Sequence, residues 1–181
     1  EIINQVFAAQ KVAASMITHV VLMGTGEPLG NYEAVKTFVQ AATDRHGMGF
    51  SNRKVTISTC GLAPMIEKMA DDNEMDASLA VSLNATTDAV RDRIMPVNKT
   101  YPLAQLMRAL HYYGRKTNKT ATIEYVLFRG VNDSDEDAGR LMELLKGLPC
   151  MINVLMFNSF PGAPFERPDE ERVYAFRNTL L

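Results

Sequence analysis

Apolar positions along the chain follow two alternating patterns. Short runs rich in β-branched residues fall at 19–23, 54–58, 77–82, 122–128 and 152–157, with the length and composition of strands. These runs are nearly continuous in apolar character, which predicts strands covered on both faces. Between them the apolar residues recur at helical spacing. Val35, Phe38, Val39 and Ala42 fall at i, i+3, i+4 and i+7, with Asn31 placed to cap the helix and Gly47 to stop it. Leu103, Leu106, Met107 and Leu110 repeat the pattern, with Pro102 near the first turn and Gly114 at the end. Ser134 and Asp137 form the carboxylate variant of a capping box ahead of Leu141, Leu144 and Leu145. With a helix at 2–14 and another at about 169–180, the order is α-β-α-β-α-β-α-β-α-β-α. Such alternation predicts an α/β protein with a parallel sheet. It leaves open whether the sheet closes toward a barrel or stays open and doubly wound.

The polar residues mark a site. Gly24-Thr25-Gly26-Glu27-Pro28-Leu29 follows the first strand and Ser58-Thr59-Cys60-Gly61 the second. Ser82-Leu83-Asn84 closes the third strand, and Asn158 comes directly after the fifth. The carboxyl ends of parallel strands emerge on one face, where α/β proteins bind ligands. Hydroxyls and amides there suit a ribose, a carboxylate or a base edge, and Glu27 suits an ammonium group. The glycine pattern after strand one is not a dinucleotide fingerprint. Leu29 stands where the third glycine is required, and Pro28 interrupts the turn.

Composition narrows the classes. The 181 residues are 46% hydrophobic and 22% charged, with net charge −2, as in an ordinary globular domain spanning the whole of 1–181. No apolar run approaches the roughly 20 residues that cross a bilayer. Two cysteines, Cys60 and Cys150, cannot form a disulfide framework or a metal-ligand set and fit a reduced, cytoplasmic setting. His19, His46 and His111 are isolated, and no nucleophile elbow or phosphate loop occurs. No catalytic residue and no metal ligand is therefore assigned within the chain. The opening Glu1-Ile2-Ile3-Asn4-Gln5 already lies in a helical pattern and lacks a Met, as expected of a gene fragment.

Met23-Gly24-Thr25-Gly26-Glu27-Pro28-Leu29 resembles the Gly-Glu-Pro motif of radical S-adenosylmethionine (SAM) enzymes. The ordered set of further segments is similar to the RlmN/Cfr group. These include Arg53-Lys54-Val55-Thr56-Ile57-Ser58-Thr59-Cys60-Gly61, Ser82-Leu83-Asn84-Ala85, Arg93-Ile94-Met95-Pro96-Val97-Asn98-Lys99 and Glu124-Tyr125-Val126. Gly130-Val131-Asn132-Asp133 and Ile152-Asn153 leading to Phe157-Asn158 complete it. The resemblance implies a partial (β/α)6 radical SAM barrel with five of its six strands in this chain. It implies S-adenosyl-L-methionine contacts at Gly26, Glu27, Ser58, Ser82, Leu83, Asn84 and Asn158. Asn84 stands where some members carry His, and Met156 where many carry Pro.

The same resemblance implies a 4Fe–4S cluster whose Cys-x3-Cys-x2-Cys ligands lie outside this chain. The N-terminal accessory domain and the methyl-carrying cysteine would likewise lie outside it. The activity implied for the parent is radical-based methylation of adenine, normally at C2, in large-subunit (23S) ribosomal RNA and, for the RlmN type, certain transfer RNAs. An electron donor such as a flavodoxin-type protein is implied as partner, with no DNA and no membrane. The fragment alone is expected to be inactive and, with β-edge 19–23 unpaired, prone to aggregate. A Cfr-like C8 methylator, another radical SAM enzyme and a non-catalytic nucleoside-binding barrel are the competing readings. For RNA phosphates, Arg53-Lys54, Arg91, Arg93 and Lys99 are the candidate contacts, assigned to the ends of strands two and three.

Overall fold

The computed structural model describes residues 1–180. The five expected strands form one sheet: β1 (Val20–Leu22), β2 (Val55–Thr59), β3 (Ser78–Ser82), β4 (Ala121–Leu127) and β5 (Cys150–Met156). All neighbours pair in parallel, and spatial order follows chain order, β1-β2-β3-β4-β5. That order separates the two architectures left open by the sequence. A doubly wound sheet reverses direction at a switch point and so gains helices on both faces. Here the order never reverses, and right-handed crossovers keep the helices on one face. The opposite face becomes the inside of a partial barrel.

The helices are α1 (Ile2–Val12), α2 (Tyr32–Thr43), α3 (Ala63–Asp71), α4 (Asp88–Ile94), α5 (Leu103–Thr117), α6 (Asp135–Leu144) and α7 (Glu170–Thr179). The capping box at Ser134 and Asp137 is complete, each side chain bonding the other's backbone N–H. Three expectations are corrected, the first being Gly47 as the stop of α2, which ends at Thr43 with Asp44 at its C-cap. Asn31 occupies the cap position of α2 but makes no capping bond, because the chain enters through a 3-10 turn, Pro28–Asn31, capped instead by Glu27. Gly114 does not stop α5; it is buried within the helix, about 3.8 Å from Pro149 for an added Cβ, and Asn118 ends the helix in the left-handed region at φ 54°. A short helix not foreseen, α4, intervenes between β3 and α5, and its amphipathic pattern is too brief to register.

Helices pack on only one face; on the other, Ser58, Ala80 and Glu124 are nonetheless buried, so the expectation of two covered faces holds for the central strands and fails for the outer ones. Paired register places Val55, Ile57, Leu79, Val81, Ala121, Ile123, Tyr125 and Leu127 on the helix side, where all are buried. There Phe176 of α7 stacks on Tyr125 with ring centroids 5.4 Å apart. The opposite positions carry Thr56, Ser58, Ser78, Ser82, Thr122, Glu124 and Asn153, with Val21, Met151 and Leu155 exposed among them. Closed barrels pack this face with bulky branched side chains. This one carries hydroxyls, a carboxylate and an amide, so it is built to meet a ligand. β1 is an outer strand of the sheet, and a cleft of about 630 Å³ lies between it and α1, reaching Gly26 and Glu27.

Candidate functional site

The loop after β1 turns on Gly24 and Gly26, with φ 116° and 103°, values that favour glycine. It delivers Glu27, whose carboxylate is anchored twice. Oε1 accepts from the Leu29 amide at 3.0 Å and Oε2 from the Cys60 amide at 2.7 Å. Glu27 thus ties the end of β1 to the end of β2. With the Cys60 thiol also against it, at least one of its roughly four lone-pair sites remains for a ligand cation. Beside it, burial first, then the hydrogen bond and charge of Glu27, push the Cys60 thiol up to about 12. A thiol held protonated is a poor nucleophile and a poor metal ligand.

Arg91 of α4 organises the next two strand ends. It is wholly buried, and four acceptors surround its guanidinium: Leu83 O at 3.0 Å, Asn98 Oδ1 at 3.1 Å, Cys60 O at 2.7 Å and Ser82 O at 3.1 Å. Asn98 passes the charge on, its Nδ2 donating to Asp88 at 2.9 Å and to Asp92 at 2.7 Å. Desolvation lowers the Arg91 pKa, with Cys60, Asp88 and Asp92 opposing it. Gly61 makes room: a Cβ there would stand 3.1 Å from Arg91 Nη2 at a backbone φ of 105°. Arg91 is therefore no RNA contact. Arg53 and Lys54 are corrected too, since they precede β2 at the opposite end from the rim. Of the five basic candidates, the exposed Arg93 and Lys99 remain on the β3 side of the rim.

The β3 and β4 ends are locked by amides. Asn84 adopts the left-handed region at φ 56°, and its Oδ1 accepts from the Val126 amide at 2.8 Å. Its Nδ2 faces only the Met95 sulfur at 3.3 Å, a weak acceptor that leaves it available. Buried Asn132 bonds Asn84 O, Val126 O and the Phe128 amide. Leu83 is buried, and its carbonyl already accepts from Arg91 and Ala85 while its amide donates to Glu124 O. Leu83 can offer a ligand apolar surface only. Asn158 is exposed just beyond β5, beside Phe157, whose amide bonds Leu127 O at 3.1 Å. Gly26, Glu27, Ser58, Ser82, Leu83, Asn84 and Asn158 thus all lie at the carboxyl ends of the strands or in the loops that follow them.

Sequence reasoning assigned Ser82 to the site but gave its neighbours Glu124 and Asn153 no site role. Ser82, Glu124 and Asn153 are register partners across β3, β4 and β5, and Asn153 Nδ2 donates to Glu124 Oε2 at 2.8 Å. Their signal is polar residues at every second position, visible in Thr56 and Ser58, and in Thr122 and Glu124.

Residues 2–142 match the Radical SAM superfamily. The chain belongs to that superfamily. It is 47% identical over 166 residues to a dual-specificity RNA methyltransferase RlmN of Dinoroseobacter shibae, covering 91% of this chain and 42% of that protein. An RlmN of Syntrophotalea carbinolica is 46% identical over all 181 residues and covered to 48%. A crystal structure of a radical SAM methyltransferase from Sphaerobacter thermophilus superposes with a TM-score of 0.90 at 40% identity, spanning 99% of this chain and 52% of that one. The chain spans about half the length of the curated relatives it matches. The radical SAM barrel expected from the motifs is the fold observed. Among the described residues no three His, Cys, Asp or Glu side chains are gathered for a metal. Its two cysteines, Cys60 and Cys150, are too few for the three thiolates of a Cys-x3-Cys-x2-Cys loop.

Proposed function

We propose that this chain is the cofactor-binding core of an RlmN-type methyltransferase acting on adenine C2 in 23S ribosomal RNA and in transfer RNA. One observation carries the reading: the strand-end residues of the family's motifs lie together on the open end of a barrel with a polar inner face, in a chain 46% identical to an RlmN over its full length. S-adenosylmethionine, when bound, supplies the methyl group and the precursor of the radical. The chain's own part is binding and orientation. Glu27 presents a free lone pair to the methionyl ammonium, beside a Gly26 backbone that no side chain shields. Ser58 and Ser82 offer hydroxyls, Asn84 Nδ2 and Asn158 offer amide donors, and Leu83 supplies apolar surface. Arg91 keeps the ends of β2 and β3 in fixed relation, so these groups need not reorganise on binding.

The cluster ligands, the methyl-carrying cysteine and a flavodoxin-type electron donor belong to the longer polypeptide and its partners in this proposal. The test is a chimera. The matching segment of the D. shibae relative is replaced by this chain, and RNA from a host lacking its own enzyme is digested and analysed by mass spectrometry. Methylation at adenine C2 is expected. Methylation at C8 would assign the Cfr-like activity instead. A folded, soluble chimera that modifies no adenine would overturn the proposal.

A further inference from the structure

Four of the chain's eight phenylalanines gather at the carboxyl ends of β4 and β5. Phe128 is buried just after β4, and Phe157 and Phe165 pack on it with ring centroids 4.9 and 4.8 Å away. Phe160 ends the series. It is 59% exposed, and among the described residues its one aromatic neighbour is Phe157, at 6.1 Å and an interplanar angle of 62°. The rim therefore carries an aromatic cluster that is buried at its root and open to solvent at its tip.

The backbone holds that tip in place. The Ala163 amide donates to Phe160 O at 3.0 Å, Pro161 and Gly162 fill the two positions between, and Gly162 has φ 80°. These are the marks of a type II turn, whose angles Pro and Gly pre-set. Beyond it, the Arg129 amide donates to Glu166 O at 3.0 Å and pins the loop to the segment after β4. A ring presented on so preorganised a turn loses little freedom on meeting a partner.

The surroundings of Phe160 select the partner. Arg167 Nη2 lies 3.5 Å from the sulfur of Met156, the last residue of β5, so a guanidinium stands at the same strand end. Arg167 is exposed and makes no ion pair among the described residues. Single-stranded nucleic acid is held by this combination, with bases stacked on aromatic rings and phosphates on cations. One exposed ring preceded by polar Asn158 and Ser159 falls far short of the roughly 800 Å² that a stable protein partner covers. The loop also adjoins the open end of the barrel, where a substrate base must enter.

We infer that Phe160 stacks an unpaired base of the RNA strand flanking the target adenine, with Arg167 on an adjoining phosphate. The inference rests on the proposed function. It adds an RNA contact on the β5 side of the rim to the basic pair, Arg93 and Lys99, on the β3 side.

The test uses the chimera carrying this chain and RNA fragments that hold the target adenine in single-stranded form, with 2-aminopurine as its 5′ or its 3′ neighbour. Binding is expected to quench the fluorescence of one of the two probes. Phe160→Leu keeps an apolar side chain without a ring face. It should abolish the quench and raise Kd and KM about tenfold while kcat stays in place. Phe160→Tyr keeps the ring and should behave as the unmodified chimera. Arg167→Gln should reduce the log–log salt slope of binding by about 0.7, the share of one phosphate on a single strand. Two unquenched probes with the unmodified chimera, or an unchanged Kd in Phe160→Leu, would overturn the inference while methylation by the chimera leaves the proposed function standing. A Leu variant altered only in Tm would overturn it as well, since the ring would then serve packing within the longer polypeptide. A chimera that neither binds nor methylates the RNA would remove the proposed function and this inference together.

Discussion

Replacing Arg91 with Met tests how the rim is held together. Methionine fills the space of the aliphatic stem but donates no hydrogen bond. The substitution strips a charged donor from Cys60 O, Ser82 O and Asn98 Oδ1. Leu83 O loses less, since the Ala85 amide still reaches it at 2.8 Å. Three acceptors at about 1–3 kcal/mol each give a gross loss of roughly 3–9 kcal/mol. Against this stands relief of the guanidinium's own desolvation, several kcal/mol. The net expectation is a loss of about 2–4 kcal/mol, the part of the gross loss that relief of desolvation does not offset. In a chain of 181 residues that lowers Tm by roughly 10 °C. Arg91→Lys keeps the charge but not the fork that spans several carbonyls, so it should fall between the two. Urea denaturation followed by circular dichroism measures both. A Met variant within about 1 kcal/mol of the parent protein would refute the reasoning, because the buried fork would then be replaceable by an apolar side chain at no net cost.

Two further outcomes are expected. Cys60, its thiol pushed up to about 12 by burial and Glu27, should react with iodoacetamide at pH 8 at least about a hundredfold more slowly than in the urea-unfolded chain. Peptide mass spectrometry separates it from Cys150, and equal rates in the two states would contradict the assigned environment. Asp137 is buried, which alone would raise its pKa, yet hydrogen bonds from Ser134 and Arg140 outweigh burial and hold it below the usual range. A carboxyl lowered on folding contributes its full stability above the unfolded pKa of about 3.9 and loses it as pH falls through the folded value. Asp137→Asn should therefore reduce stability at pH 7 and flatten the decline from pH 5 downward. An unchanged acid slope in urea titrations would count against that role.

Much of this protein was legible in one dimension. Helix and strand alternation emerged because burial against one layer imposes a period of 3.6 on helices, while the strands stood out as short β-branched runs. The Ser134 capping box could be read because its partners are three residues apart. Strand-end residues such as Glu27, Ser58, Ser82 and Asn158 could be singled out because parallel strands deliver their carboxyl ends to one side. The ordered motifs pointed to the radical SAM family, to which the chain belongs.

What the tertiary structure decided depends on groups far apart in sequence. Whether the sheet winds once or twice is a matter of strand order, which local periodicity does not encode. Arg91 read as a surface cation until folding enclosed it with carbonyls from 60, 82 and 83 and the side chain of Asn98. Glu124 and Asn153, 29 residues apart, meet only because β4 and β5 pair in one register. The sequence by itself determined which residues end each strand, since those positions follow from chain-local pattern. Only the tertiary structure determined which of them keep a free donor or acceptor, because that depends on long-range hydrogen bonds that consume the rest.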